Sequence, residues 1–172
     1  MNRNLIIYYS RRGQNYCGGE IVFLDKGNAE RIAEIIRDAV GADMFEVRTV
    51  KDYPEDYTEC TEEAQREVRM NARPAIEEHL GSVDQYDNFF IVGPCWWGTY
   101  PMAMFTLLEE LDFAGGKVFP VMTHEGSGLG SAERDLKRMC RHARVKRGLA
   151  VQGSLVAESE ARISDWARKN AR

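Results

Sequence analysis

The 172-residue chain has only four cysteines, five prolines and three histidines, and neither sign of charge dominates it. Cys17, Cys60, Cys95 and Cys140 are widely scattered, with no CxxC pair. That leaves no disulfide framework and matches reduced thiols in a cytosol. No cluster of His, Cys, Asp and Glu has metal-ligand spacing. Lys and Arg number 23 against 27 Asp and Glu, a net charge of −4, so no general affinity for nucleic acid or an anionic membrane follows. No apolar run approaches the roughly 20 residues that span a bilayer. The start, Met1-Asn2-Arg3-Asn4, leads into a short apolar run without a signal peptide's cleavage region. Internal repeats and low-complexity linkers are absent. The expectation is one soluble domain over residues 1–172, in the cytoplasm.

What is present is an alternation. Leu5 to Tyr9 and Asn88 to Val92 are continuous apolar runs, the length of strands buried on both faces. Ala29, Ile32, Ala33, Ile35, Ile36 and Val40 recur at helical spacing, with Asn28 as the expected N-cap, Glu30 in the first turn and Gly41 at the end. Ala42 to Arg48 alternates like an edge strand. A long connection, Thr49 to Gln85, is acidic at first and predicts a polar helix over Thr61 to Met70, broken before Pro74. Met102 to Leu111 reads as an apolar helix behind Pro101. Lys117 to Met122 reads as a strand despite Pro120, which has no ladder donor and suits a bulge or strand end. A helix over Ala132 to His142, an edge strand over Lys146 to Gln152 and a closing helix around Ile163 to Lys169 complete the chain. The segment from Arg12 to Lys26 reads as an insert whose Ile21-Val22-Phe23-Leu24 needs burial, as an extra edge strand would provide.

Strands alternating with helices predict an α/β fold: a three-layer, doubly wound, five-stranded parallel sheet with helices on both faces. Ligands then bind outside the carboxyl ends of the strands. Three polar or aromatic strand-to-helix loops fall on that edge. The first holds Ser10, Arg11, Gln14 and Asn15 and leads to Gly27, Asn28 and Ala29, where a helix N-terminus favours an anion. The second is Pro94-Cys95-Trp96-Trp97-Gly98-Thr99, whose indoles can stack on a flat heteroaromatic ring. The third, Thr123-His124-Glu125-Gly126-Ser127-Gly128, offers hydroxyls and backbone groups to a ring's polar edge. His124 could also titrate near neutrality. The basic run from Arg134 to Arg147 and the acidic run from Asp52 to Glu63 read as solvated faces or as surfaces that orient a charged partner.

On S-R-x-G-Q-N-Y from Ser10, G-N at Gly27, P-x-W-W-G-T-x-P over Pro94 to Pro101 and T-H-E-G-S-G-L-G over Thr123 to Gly130, the chain resembles the flavodoxin-like family, bacterial proteins with these loops in particular. The resemblance implies strand order 2-1-3-4-5 and FMN as cofactor. Ser10, Gly27, Asn28 and Ala29 would correspond to the phosphate loop, although the insert interrupts it and Ala29 replaces the usual threonine. Trp97-Gly98 would flank the ring, the glycine letting a peptide reorient towards reduced flavin. Thr123 to Gly128 would hold the pyrimidine side. The family's frequent tyrosine in the third loop has no counterpart, so the outer ring face is left open or covered by the Asp52 to Gln85 connection. The implied function is electron transfer to a redox-partner protein, or alternatively NAD(P)H-dependent reduction of quinone-type acceptors, by a monomer or homodimer.

Overall fold

The computed structural model describes residues 2–172. The main sheet is built from β1 (Asn4–Tyr8), β4 (Ala42–Glu46), β5 (Asn88–Pro94), β6 (Lys117–His124), β7 (Arg144–Val145) and β8 (Leu149–Gln152). Its order is β4-β1-β5-β6, with β7 and β8 both on the far side of β6, and every pairing is parallel. Counted within the sheet this is the expected 2-1-3-4-5, with the fifth strand in two pieces. The helices are α1 (Asn28–Val40), α2 (Tyr57–Arg69), α3 (Met102–Leu108), α4 (Ala132–Met139) and α5 (Glu160–Asn170).

Side chains alternate across a strand, so β1 and β5 feed two cores at once. Leu5, Ile7, Phe89 and Ile91 belong to the cluster that includes Phe105, Leu108 and Leu136, on α3 and α4. Ile6, Tyr8, Phe90 and Val92 belong to the one that includes Ile32, Ile36 and Ile163, on α1 and α5. Leu5 to Ile7 and Phe89 to Val92 are apolar on successive positions because neither strand has a solvent face.

Pro120 explains the divided edge. β7 pairs with Lys117 and Val118, β8 with Val121 to His124, and the break falls beside the proline. Gly148 fills that break so closely that a Cβ there would lie 2.5 Å from the Pro120 carbonyl oxygen. On the other side, the fully buried Tyr100 hydroxyl accepts the Val121 N–H at 3.1 Å and donates to the Ile91 carbonyl at 2.8 Å. The ring reaches this position by crossing Gly93, where a Cβ would sit 2.9 Å from Tyr100 Cδ1.

The insert departs from expectation. β2 (Gly13–Cys17) and β3 (Glu20–Leu24) form a separate antiparallel hairpin, not an edge of the main sheet. Gly18 and Gly19, at φ +65° and +89°, make the left-handed pair that a tight two-residue turn needs. Ile21 and Phe23 are 53% and 74% exposed, so the expected burial of this segment does not occur. No helix among the described residues is long and apolar enough to cross a membrane.

Candidate functional site

The N-terminus of α1 is assembled from two distant pieces of chain. Gly27, not Asn28, stands at the cap position, and its own side supplies no acceptor. Ser10 does so instead, its Oγ accepting the Glu30 amide at 3.1 Å. Among the described residues the amides of Asn28 and Ala29 donate to no protein acceptor. They stand free at the positive end of the helix dipole.

The second loop is a reverse turn closed by Trp96 N–H to Thr99 carbonyl at 2.8 Å. Trp97 and Gly98 sit at φ +58° and +85°, both in the left-handed region. This is the type I′ geometry, which glycine adopts freely and tryptophan only under restraint. The restraint is visible. Trp97 Nε1 donates to the Thr61 carbonyl of α2 at 2.8 Å, and the Gly98 carbonyl accepts the Ser131 amide at 2.7 Å. Beneath the turn, the buried Asp135 carboxylate accepts the Thr99 hydroxyl at 2.6 Å and lies 2.6 Å from Ser131 Oγ, tying the second loop to the third. Trp96 is held from behind by Tyr9 and Tyr53, edge-on at 5.2 and 5.0 Å between centroids.

In the third loop, Glu125 gathers surrounding backbone. Its carboxylate accepts the Ser154 amide at 2.8 Å and the Ser154 hydroxyl at 3.2 Å, with Gly18 N and Gln152 Nε2 farther off at 3.4 Å. Gly153 makes room for this: a Cβ would fall 2.6 Å from Asn28 Nδ2 and 2.9 Å from Glu125 Oε1. His124 Nδ1 accepts the Gly126 amide at 2.9 Å. That bond requires an unprotonated Nδ1 and leaves the Nε2–H as the ring's donor. Burial pulls the His124 pKa below its usual value, Glu125 opposes this, and Arg162 adds to it. Folding therefore favours the neutral ring, and the unfolded chain takes up the proton first as pH falls. The stabilisation is full above the unfolded histidine pKa of about 6.5 and is lost as pH drops through it towards the lower folded value. In thermal melts between about pH 7.5 and 5, a His124→Gln variant is expected to lose less Tm than the parent; equal losses would remove His124 from this account.

These pieces meet in one cleft of about 350 Å³ at the carboxyl end of the sheet. Of the residues expected from sequence, Arg11, Asn15, Asn28, Ala29, Pro94, Cys95, Trp96, Trp97, Thr123, His124 and Glu125 line it. The others stand around it. Ser10 and Gln14 face a neighbouring depression, Gln14 Oε1 accepting the Tyr57 amide at 2.8 Å. Gly27 packs against Ser10, Thr99 and Gly98 build the turn, Gly126 orients His124, and exposed Ser127 and half-buried Gly128 form the outer loop. The opposite wall is Tyr57, Cys60, Thr61 and Ala64 on α2, within the Asp52 to Gln85 connection that sequence offered as one cover, together with Tyr16 on the hairpin and Gly153; none of these residues was singled out for the site from sequence. Tyr16 stacks on Tyr57 at 6.4 Å, and burial pushes the Cys60 thiol up to about 11, so it stays neutral. The Arg11 guanidinium ties hairpin to connection through the carbonyls of Gln14, Pro54 and Glu55. Among the described residues no group of His, Cys, Asp and Glu could hold a metal ion.

The flavodoxin family model matches residues 21–170, and the chain belongs to that flavodoxin-like family of FMN proteins. Solved structures agree. A candidate flavoprotein from Bacteroides uniformis is 26% identical with a TM-score of 0.70, covering 96% of this chain and 97% of that one. Another from Bacteroides eggerthii is 23% identical with a TM-score of 0.71, covering 95% and 99%. A flavoprotein from Lactobacillus acidophilus in complex with FMN is 20% identical with a TM-score of 0.66, covering 92% and 98%. No curated protein matches the chain by sequence. The residues present suit FMN: free helix amides for a phosphate, indole and phenol faces for a flat ring, and polar loop groups at its edge.

Proposed function

We propose that this protein is an electron carrier that holds FMN in the cleft and exchanges electrons with protein partners. The observation that carries this reading is convergence. Three strand-to-helix loops and one face of α2 enclose a single cleft with an anion-binding helix end and an aromatic wall. The flavin supplies the redox chemistry; the chain binds, orients and tunes it. In this reading Asn28 and Ala29 hold the phosphate, and Ser10, Arg11, Gln14, Asn15 and Gly27 frame that end. Trp96 and Trp97 flank the ring, Gly98 and Thr99 set the turn that aims them, and Pro94 and Cys95 line the approach. Thr123, His124 and the Glu125 to Gly128 loop meet the polar edge, where the Nε2–H of His124 is a ready donor.

A carrier fits better than an NAD(P)H-dependent reductase because of the outer wall. A cleft of about 350 Å³ lies near the lower end of small-molecule sites, room for one ligand. Tyr57 and Thr61 wall that cleft on the α2 side, which leaves less room for a second ring beside the flavin.

Purified protein is expected to be yellow and to release FMN, identified by mass, on denaturation. Apoprotein titrated with FMN should show quenched tryptophan fluorescence, and Trp97→Ala should weaken binding roughly tenfold through lost stacking. Failure to take up FMN sinks the whole reading. Anaerobic NADPH should leave the visible absorbance of oxidised flavin intact; rapid bleaching would make the protein a reductase.

A further inference from the structure

We propose that two copies of this chain associate by pairing the outer edges of their β3 strands. The hairpin turn closes on the Cys17–Glu20 pair, so the inward-bonded pairs are Cys17–Glu20, Asn15–Val22 and Gly13–Leu24. The backbone groups of Ile21 and Phe23 then point away from β2, and among the described residues none of them bonds elsewhere. Of the elements, β3 packs chiefly on β2.

Edge strands are normally blunted by charged side chains, lysine above all, or by a proline, a bulge or a covering element. The stretch Glu20-Ile21-Val22-Phe23-Leu24 carries one charge, Glu20 at its turn end, and no lysine, proline or bulge, and three of its residues are β-branched or aromatic. Its two most apolar exposed side chains, Ile21 and Phe23, project from the two residues whose backbone is unpaired.

The edge is also complementary to itself. An antiparallel pairing about a two-fold axis at Val22 sets Ile21 of each copy opposite Phe23 of the other. Both residues carry outward N–H and C=O groups, so each such pair exchanges two hydrogen bonds and adds an aromatic-to-β-branched contact. Val22 meets Val22 on the axis as a close, non-bonded pair. Lys26, beyond the strand end, is already held by Glu34 of its own α1 at 2.8 Å and takes no part in the pairing. A one-residue slip would set Phe23 opposite Val22 and misalign the hydrogen bonds, so the register is specified. Tyr16 lies on the same hairpin and lines the cleft, so pairing would also brace the cleft mouth.

Sedimentation of the full chain over a concentration series tests the pairing. The wild-type chain is expected to shift from monomer to dimer, and an Ile21→Lys/Phe23→Lys variant to stay monomeric with an unchanged Tm, since both side chains are exposed. A Val22→Cys variant should form a disulfide-linked dimer on mild oxidation in excess of the wild type, because the axial pair brings the two sulfurs within bonding range. A wild-type chain that remains monomeric throughout, or a dimer that survives the double lysine variant, overturns the proposal. None of these readouts depends on FMN, so the cleft's function stands or falls separately.

Discussion

A Gly27→Ala variant is expected to lose about 2–4 kcal/mol of stability and most of its FMN affinity together, the first from crowding plus a lost helix cap. The added Cβ would lie 2.1 Å from Ser10 Oγ and 2.6 Å from the Arg11 carbonyl oxygen. Rotating the serine could relieve the first clash but would withdraw the acceptor of the Glu30 amide. The second clash involves backbone, so the loop after β1 must move away from the start of α1. Ser10→Ala isolates the cap and should cost about 1 kcal/mol. Ser10→Gly/Gly27→Ala should not recover the parent's affinity, because the Arg11 carbonyl remains in the way. Thermal melts and FMN titration of the three variants check this. A Gly27→Ala protein as stable as the parent would show that the two segments are not closely apposed.

Asp135→Ala is expected to cost about 2–4 kcal/mol, roughly 6–12 °C in Tm for a chain this size. The carboxylate is buried and serves the hydroxyls of Thr99 and Ser131, both at 2.6 Å. Bonds to a charged acceptor contribute more than neutral ones, and removal strands the buried Thr99 hydroxyl, while the half-buried Ser131 hydroxyl still reaches the Gly98 carbonyl at 2.9 Å. Arg134 and Arg138, at 3.4 and 3.5 Å, are largely exposed and contribute little. Asp135→Asn keeps an acceptor and should lose distinctly less. The diagnostic readout is FMN affinity. Asp135→Ala loosens the turn that presents Trp97 and should weaken binding beyond its effect on stability. Ile163→Ala, in the core on the other face of the sheet, should destabilise comparably while leaving affinity unchanged. Equal affinity in both variants would make Asp135 a packing residue only.

The central strands were legible because burial on both faces leaves one composition open to them, and β1 and β5 have it. The loops at their ends were legible because glycine, tryptophan and hydroxyl residues have little reason to cluster after a buried strand. The far wall was not. Tyr57 is placed by Gln14 and Thr61 is fastened by Trp97, partners many residues away. One local signal was available. Asp56 caps α2 by accepting the Glu59 amide, and an acid three positions before a glutamate marks a helix start earlier than Thr61. For the insert, Gly18-Gly19 between β-prone residues was the corresponding sign of a hairpin. Asn28 failed as a cap for a different reason: the acceptor came from Ser10, and no local pattern encodes a bond between segments joined only by folding.

The outer wall of the cleft is fastened differently from the rest. β1, β5 and β6 are locked into the sheet, whereas α2 is joined to the cleft by Trp97 to Thr61 and to the hairpin by Gln14 to Tyr57, with Arg11 gripping the segment just before it. Such an arrangement divides labour. The sheet can stay constant while substitutions in the insert or in α2 reshape the outer wall, so access to the cleft is adjustable separately from the strands that carry its floor.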